Sequence, residues 1–219
     1  MKQLTLADEI VVLMLRDDTG DVRPECSKVA NVAIVGGILM ELSLRGRIDT
    51  DLTSLFIVNP KLTGDDLLDH AMAAIEAEPK RRSSAWWIER LGDRNGNLVK
   101  RILGRLVDAG ILRVENRQYL WVFSRRAYPQ NTGREEREAK ARLLAVINDN
   151  TVPDPRDTLL LGLAESSDVL NSLLSPQDQR KAEKRIAEVV ALEEIGRSLG
   201  SVAQNLRAAM IEVARARFF

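Results

Sequence analysis

Residues 32–48 read VAIVGGILMELSLRGRI, and no other stretch restricts the fold as tightly. Val32 to Met40 carry no charge and enclose the pair Gly36-Gly37. A run that is apolar all round predicts a helix buried on nearly every side, and the two glycines leave room for another backbone to come close. Gly46 suits the left-handed cap that ends such a helix, and Arg45 and Arg47 suit the negative end of its dipole. The run is about half of the roughly 20 apolar residues that would span a bilayer. It reads as the core of a helical bundle.

Composition narrows the class. The chain has 219 residues, 45% of them hydrophobic, enough to bury a core as a single domain over residues 1–219. Its 32 basic and 32 acidic side chains cancel, so binding to an anionic surface needs a local patch. The lone cysteine, Cys26, excludes an internal disulfide. MKQLTLADEI lacks the apolar core of a signal peptide, which predicts a cytoplasmic protein.

The rest of the chain is mostly helical in pattern. Thr5 and Asp8 form a capping-box-like start for Leu6, Ile10, Leu13 and Met14, which end at the turn Asp17-Asp18-Thr19-Gly20. Ile48 and Leu55 to Val58 read as two short strands. Thr63-Gly64-Asp65-Asp66 opens a helix over Leu67, Leu68, Ala71, Met72 and Ile75, and Ser83-Ser84 precedes another with Trp86, Trp87, Ile88 and Leu91. Leu98 to Val107 continues in helical spacing and closes on Gly110. Residues 111–123, ILRVENRQYLWVF, predict a β-hairpin with Asn116 at the turn and Tyr119, Trp121 and Phe123 alternating along the second strand. Further helices follow from Arg134, after Asp154-Pro155, and after Ser175-Pro176.

Catalytic chemistry is poorly served. A single histidine, His70, allows no His-His or His-Cys metal cluster, and no nucleophile stands near it at a motif spacing, so it reads as a surface or capping side chain. Cys26 reads as a buried, inert thiol. Gly92-Asp93-Arg94-Asn95-Gly96 follows a helical pattern rather than a strand and reads as a loop, not a phosphate cradle. The acidic pair Asp65-Asp66 sits where a helix start wants negative charge. The sequence predicts no enzyme, no cofactor and no metal.

Basic and aromatic residues offer more. Arg81 and Arg82 lie just before Trp86-Trp87, and Arg113, Arg117, Arg125 and Arg126 surround the aromatic hairpin. Tryptophan and tyrosine beside arginine suit a lipid headgroup layer. Alternation equally suits a hairpin whose aromatics face the core while the arginines are solvated.

Several segments resemble the Golgi phosphoprotein 3 family: LTLADEIVVLMLRDDTG, GGILMELSLRGRI, LTGDDLLDHAM, LVDAGIL and LAESSDVL, in the family's order from Leu4 to about Leu174. GGILMELSLRGRI and SSDVL are the specific ones. The resemblance implies a mainly α peripheral membrane protein, a helical bundle around a buried central helix with amphipathic surface helices and a projecting β-hairpin. Its eukaryotic relatives bind phosphatidylinositol 4-phosphate and hold the cytosolic tails of client proteins as adaptors on the cytosolic face of a membrane. The family's headgroup pocket uses one tryptophan and three arginines, at positions that here are Cys26, Val35, Gly96 and Val99. All four are replaced, which puts headgroup specificity in question and points to a distant, bacterial member. Arg94, Lys100 and Arg101 are nearby substitutes, and with Arg81, Arg82, Arg117, Trp121, Arg125 and Arg126 they make the candidate lipid-binding set. The expected partners are an anionic membrane surface and cytosolic protein tails.

A second class is open. A helix ending in LVDAGIL and followed by two strands also describes a winged-helix nucleic-acid-binding regulator, with Asn95 to Ala109 as recognition helix and Lys100, Arg101 and Arg105 meeting phosphates. The zero net charge and the very apolar neighbouring helix weigh against nucleic acid as a partner.

Overall fold

The computed structural model describes residues 3–16, 19–51, 53–94, 98–119, 123–148, 153–193 and 199–216. Among them are ten α-helices and two antiparallel strand pairs. Helix α1 is Leu6–Met14, α2 is Ala30–Leu44, α3 is Asp66–Glu76, α4 is Ser84–Arg94 and α5 is Leu98–Asp108. After them come α6 (Arg134–Asn148), α7 (Pro155–Ser166), α8 (Val169–Leu173), α9 (Pro176–Glu193) and α10 (Leu199–Ala216). Strands β1 (Ile48–Thr50) and β2 (Leu55–Ile57) pair with each other, as do β3 (Glu115–Tyr119) and β4 (Phe123–Ala127). The fold is mainly helical, as the hydrophobic periodicity predicts.

Helix α2 is the centre. Residues from Ala30 to Ser43 are buried almost without a break, because α1, α3, α4, α5, α7 and α10 all pack on it. The two glycines divide the work. A Cβ on Gly37 would lie 2.9 Å from both N and Cα of Ala7, so here the backbones of α1 and α2 cross. A Cβ on Gly36 would meet a side chain instead, 2.3 Å from Met210 Sδ on α10. Gly46 closes the helix with φ +61°.

Most helix starts are set by local chemistry. Thr5 Oγ1 accepts from the Asp8 N–H (3.2 Å) while the Asp8 carboxylate accepts from the Thr5 N–H (2.9 Å), a full capping box. Asp65 caps α3, Asp154 caps α7 ahead of Pro155, and Ser175 accepts from the Asp178 N–H to start α9.

Two expectations shift. Asn116 is not the hairpin turn but a ladder residue opposite Arg126. The register is fixed from outside: Leu112 bridges Gln130, and the Arg113 N–H donates to the Pro129 C=O (3.0 Å). Pairing then continues without a slip to Tyr119 opposite Phe123. Trp121 lies outside the described residues. Gly92, Asp93 and Arg94 are not loop but the last residues of α4, since the one-sided apolar pattern of Trp87, Ile88 and Leu91 carries the helix through a single glycine.

Helix α1 runs antiparallel to α2, so the two ends of α2 have different neighbours. The Leu6 N–H donates to Glu41 Oε2 (3.0 Å) near the carboxyl end of α2. At the other end of α1, the Arg23 N–H donates to the Met14 C=O (2.8 Å), and Pro24–Cys26 form a 3₁₀ turn leading into α2. Gly20, just before that turn, is pressed against the backbone of Tyr128 at the base of the hairpin. The β3–β4 hairpin thus sits at the amino end of α2, and no helix packs extensively on either strand among the described residues. The β1–β2 pair starts at the carboxyl end, about 22 Å away along a 15-residue helix at 1.5 Å per residue.

Candidate functional site

The structure divides the basic candidates between these ends. Arg82 is bridged to Leu55 through the backbone, with the Leu55 N–H donating to the Arg82 C=O (2.9 Å), so Arg81 and Arg82 belong to the β1–β2 end. Arg81 is 67% exposed, lies 4.5 Å above the Phe56 ring and reaches Asp51 at 3.5 Å. Arg82 sits 4.8 Å from the Trp86 ring and is held by Glu78 at 3.1 Å. Trp87, edge-on to Trp86 at 4.8 Å, is core. Arg81 and Arg82 thus lie at the β1–β2 end of α2, and the base of the hairpin at the other.

At the amino end, the ladder opposes Arg117 to Arg125, and Arg126 to Asn116. Opposed like charges disfavour a strand pair in water. Arg113 at the hairpin base pairs with Glu115 at 2.8 Å. The side chains of Arg94, Arg117, Arg125 and Arg126 lie outside the described residues. Lys100 is exposed on α5, while Arg101 is taken up by Asp66 at 3.1 Å.

Of the four positions expected from the resemblance to hold the family's headgroup contacts, three are described. Cys26 and Val35 are both fully buried. Burial pushes the Cys26 thiol up to about 11, with Glu25 adding to it, which keeps it protonated and inert. Val99 is half-buried, and Gly96 is outside the described residues. His70 is exposed on α3.

Sequence reasoning missed an internal charge network around the first turn of α1. Arg105 Nη2 donates to Asp8 (2.7 Å) and its Nη1 to Asp65 (3.0 Å). Burial opposes its charge, but the hydrogen bonds and charges of Asp65 and Asp8 outweigh that and hold the guanidinium ionised. Arg105 is therefore an interior brace, not a phosphate contact, and with Arg101 paired the winged-helix reading keeps only Lys100 among its three cations. Arg156 Nη1 donates to Glu41 (2.9 Å), and its Nη2 reaches Glu9 and the Leu4 C=O. Arg142 also donates to Glu9. Burial raises the Glu9 pKa even so, against the pull of Arg156 and Arg142. Acids on a fully buried helix were the available signal: Asp8 and Glu9 stand in α1, where every residue is buried, and such charges need partners.

The family model described as Golgi phosphoprotein 3 (GPP34) matches residues 6–213. Similar proteins include vacuolar protein sorting-associated protein 74 of Schizosaccharomyces pombe (strain 972), 28% identical over 226 residues. That alignment takes in 86% of this chain and 66% of the relative's length.

Proposed function

The chain belongs to the Golgi phosphoprotein 3 family, and from this we propose that it is a non-enzymatic peripheral membrane adaptor, one domain over residues 1–219. It docks on the cytosolic face of an anionic membrane and holds the tails of client proteins. The observation that carries the reading is the β3–β4 hairpin, whose base lies at the amino end of α2 and whose register opposes Arg117 to Arg125. An anionic headgroup layer offsets that repulsion and adds about 1 kcal/mol for each arginine close to the surface. Among the described residues no helix is long and apolar enough to cross a membrane, which fits attachment by a surface element.

Headgroup selectivity is weak in this reading, because Cys26 and Val35, two of the positions expected from the resemblance to hold pocket side chains, are apolar and buried. Flotation with phosphatidylcholine vesicles carrying increasing phosphatidylserine tests it. Binding should rise with anionic content and fade toward ~0.15 M salt, where exposed charges more than about 8 Å apart are largely screened. Absence of flotation at every anionic content removes the membrane reading. Selective capture of phosphatidylinositol 4-phosphate over phosphatidylserine at equal charge shows that other residues rebuild the pocket. Trp121→Ala separates the two roles of the hairpin aromatics: a membrane anchor loses flotation at unchanged stability, a core ring loses about 3–5 kcal/mol.

A further inference from the structure

We propose that the outer edge of β2 is a docking site for an extended peptide segment of a partner protein, which joins the sheet as one more strand. The inference rests on the adaptor half of the function above and places the protein partner at the end of α2 opposite the hairpin.

Strand β2 has one edge committed and one open. Phe56 opposes Asp49 across the pair, with the Asp51 N–H donating to Ser54 and the Val58 N–H donating to Arg47 on either side (both 2.9 Å). In an antiparallel ladder this alternation turns the N–H and C=O of Leu55 and Ile57 to the other edge. Arg82 satisfies the Leu55 N–H. The bridge stops there, because the chain bends at Pro79 and Lys80. Among the described residues no hydrogen bond reaches the backbone of Ile57. A half-buried strand edge with a free donor and acceptor is a template for another strand.

The bend opens a groove of about 360 Å³ between β2 and residues 78–81. Its walls include Phe56, Ile57, Pro60, Ile75 and Pro79, a lining suited to one apolar side chain of an extended peptide. Apolar surface continues past the strand at Val58 and Leu62, 51% and 69% exposed. Charge sets the neighbouring preference. Lys80 and Arg81 are exposed at the rim against one exposed acid, Glu76, and Glu78 is already neutralised by Arg82. Arg81 stands 4.5 Å over the Phe56 ring and, among the described residues, pairs with Asp51 alone, at 3.5 Å between two exposed side chains. The occupant is therefore an extended peptide with an apolar residue for the groove and a carboxylate beside it for Arg81.

Isotope-labelled full-length protein is titrated with acetylated, amidated heptapeptides that centre a leucine among alternating valines and either aspartates or lysines. Aspartate peptides should shift the backbone amides of residues 55–58 and 78–82 at about 1 mM or below, a modest affinity suited to a short strand. The same peptide N-methylated on the pairing edge should lose binding, since main-chain bonds carry affinity in strand addition. Arg81→Glu should weaken the aspartate peptide by about tenfold and favour the lysine one, by reversal of the facing charge. Its melting temperature should match the parent's, because the side chain is exposed. No shift at these amides with any peptide, or shifts indifferent to N-methylation, overturns the proposal. Vesicle flotation on the same samples separates the two readings: intact flotation without peptide binding sinks the edge site alone, and peptide binding without flotation sinks the membrane contact alone.

Discussion

At the carboxyl end of α2, Glu41 holds Leu6, Arg45 and Arg156 at once, and Asp51 ties Thr53 and Ser54 into the β1–β2 turn. At the amino end, a hairpin is fixed to the bundle mainly at its base, through the backbone around Ile111 to Arg113 and the contact of Gly20 with Tyr128. At the carboxyl end the charges of Glu41 and Arg156 are spent inside the protein, while Arg81 stays exposed. The other end opposes Arg117 to Arg125 across the hairpin ladder, where we place the contact with an anionic surface. The contrast teaches that counting arginines along a sequence says little about where a protein meets an anionic surface. What counts is which of them the interior has already taken.

The largest expected effects strike the frame that both ends share or the braced end alone. Arg156→Ala leaves Glu9 to Arg142 alone and Glu41 to Arg45 and the Leu6 N–H, and should cost about 3 kcal/mol, the lower end of the range for breaking a buried pair, read from chemical denaturation. A loss below about 1 kcal/mol is what an exposed pair would give and would show that the brace is dispensable. Gly37→Leu should cost roughly 3 kcal/mol, at the top of the overpacking range, because it collides with the backbone of Ala7. Gly36→Leu displaces the side-chain ends of Met210 and Leu163 rather than backbone and should cost roughly 1–2 kcal/mol. Equal melting temperatures for the two variants would remove the distinction between a backbone crossing and a side-chain contact.

Smaller effects sharpen the comparison. Cys26 at the amino end should resist iodoacetamide in the native state at mildly alkaline pH and react once unfolded, since its thiol is raised to about 11 and buried. Native labelling at the rate of a free thiol would mean that this end opens. Asp51 at the other end is lowered to about 2, first by the Thr53 N–H and then by Ser54 and the Thr53 hydroxyl. A depressed carboxylate contributes its stability above the ordinary carboxylate pKa and loses it as pH falls through the folded value. Protection of the Thr53 and Ser54 amides, measured against their intrinsic exchange rates, should therefore fall only as pH drops from about 4 toward 2. Loss of protection beginning well above that window would show that the carboxylate does not hold the turn.

How much of this is legible in the sequence depends on range. The caps at Thr5, Asp65, Asp154 and Ser175 use partners two or three residues away, and the all-round apolarity of α2 is visible at a glance. The turn at Asn116 was misplaced because the register is dictated by Leu112 and Gln130, which meet only when the fold forms. Arg105 was read as a surface cation because Asp8 is 97 residues distant in sequence. The single basic face expected from Arg81, Arg82 and the hairpin arginines separates for the same reason. Sequence proximity to tryptophan is no guide to which end of α2 a residue reaches.

The placement of the membrane contact at the hairpin end is the central claim, and one flotation series tests it directly. The triple variant Arg117→Glu, Arg125→Glu, Arg126→Glu is compared with the parent and with Arg81→Glu, Arg82→Glu on phosphatidylserine-containing vesicles at low salt, with melting curves confirming that all three proteins are folded. The account predicts that the hairpin variant loses most of its vesicle binding while the Arg81, Arg82 variant floats nearly as well as the parent. A hairpin variant that floats like the parent, or an Arg81, Arg82 variant that alone stays at the bottom of the gradient, would contradict it.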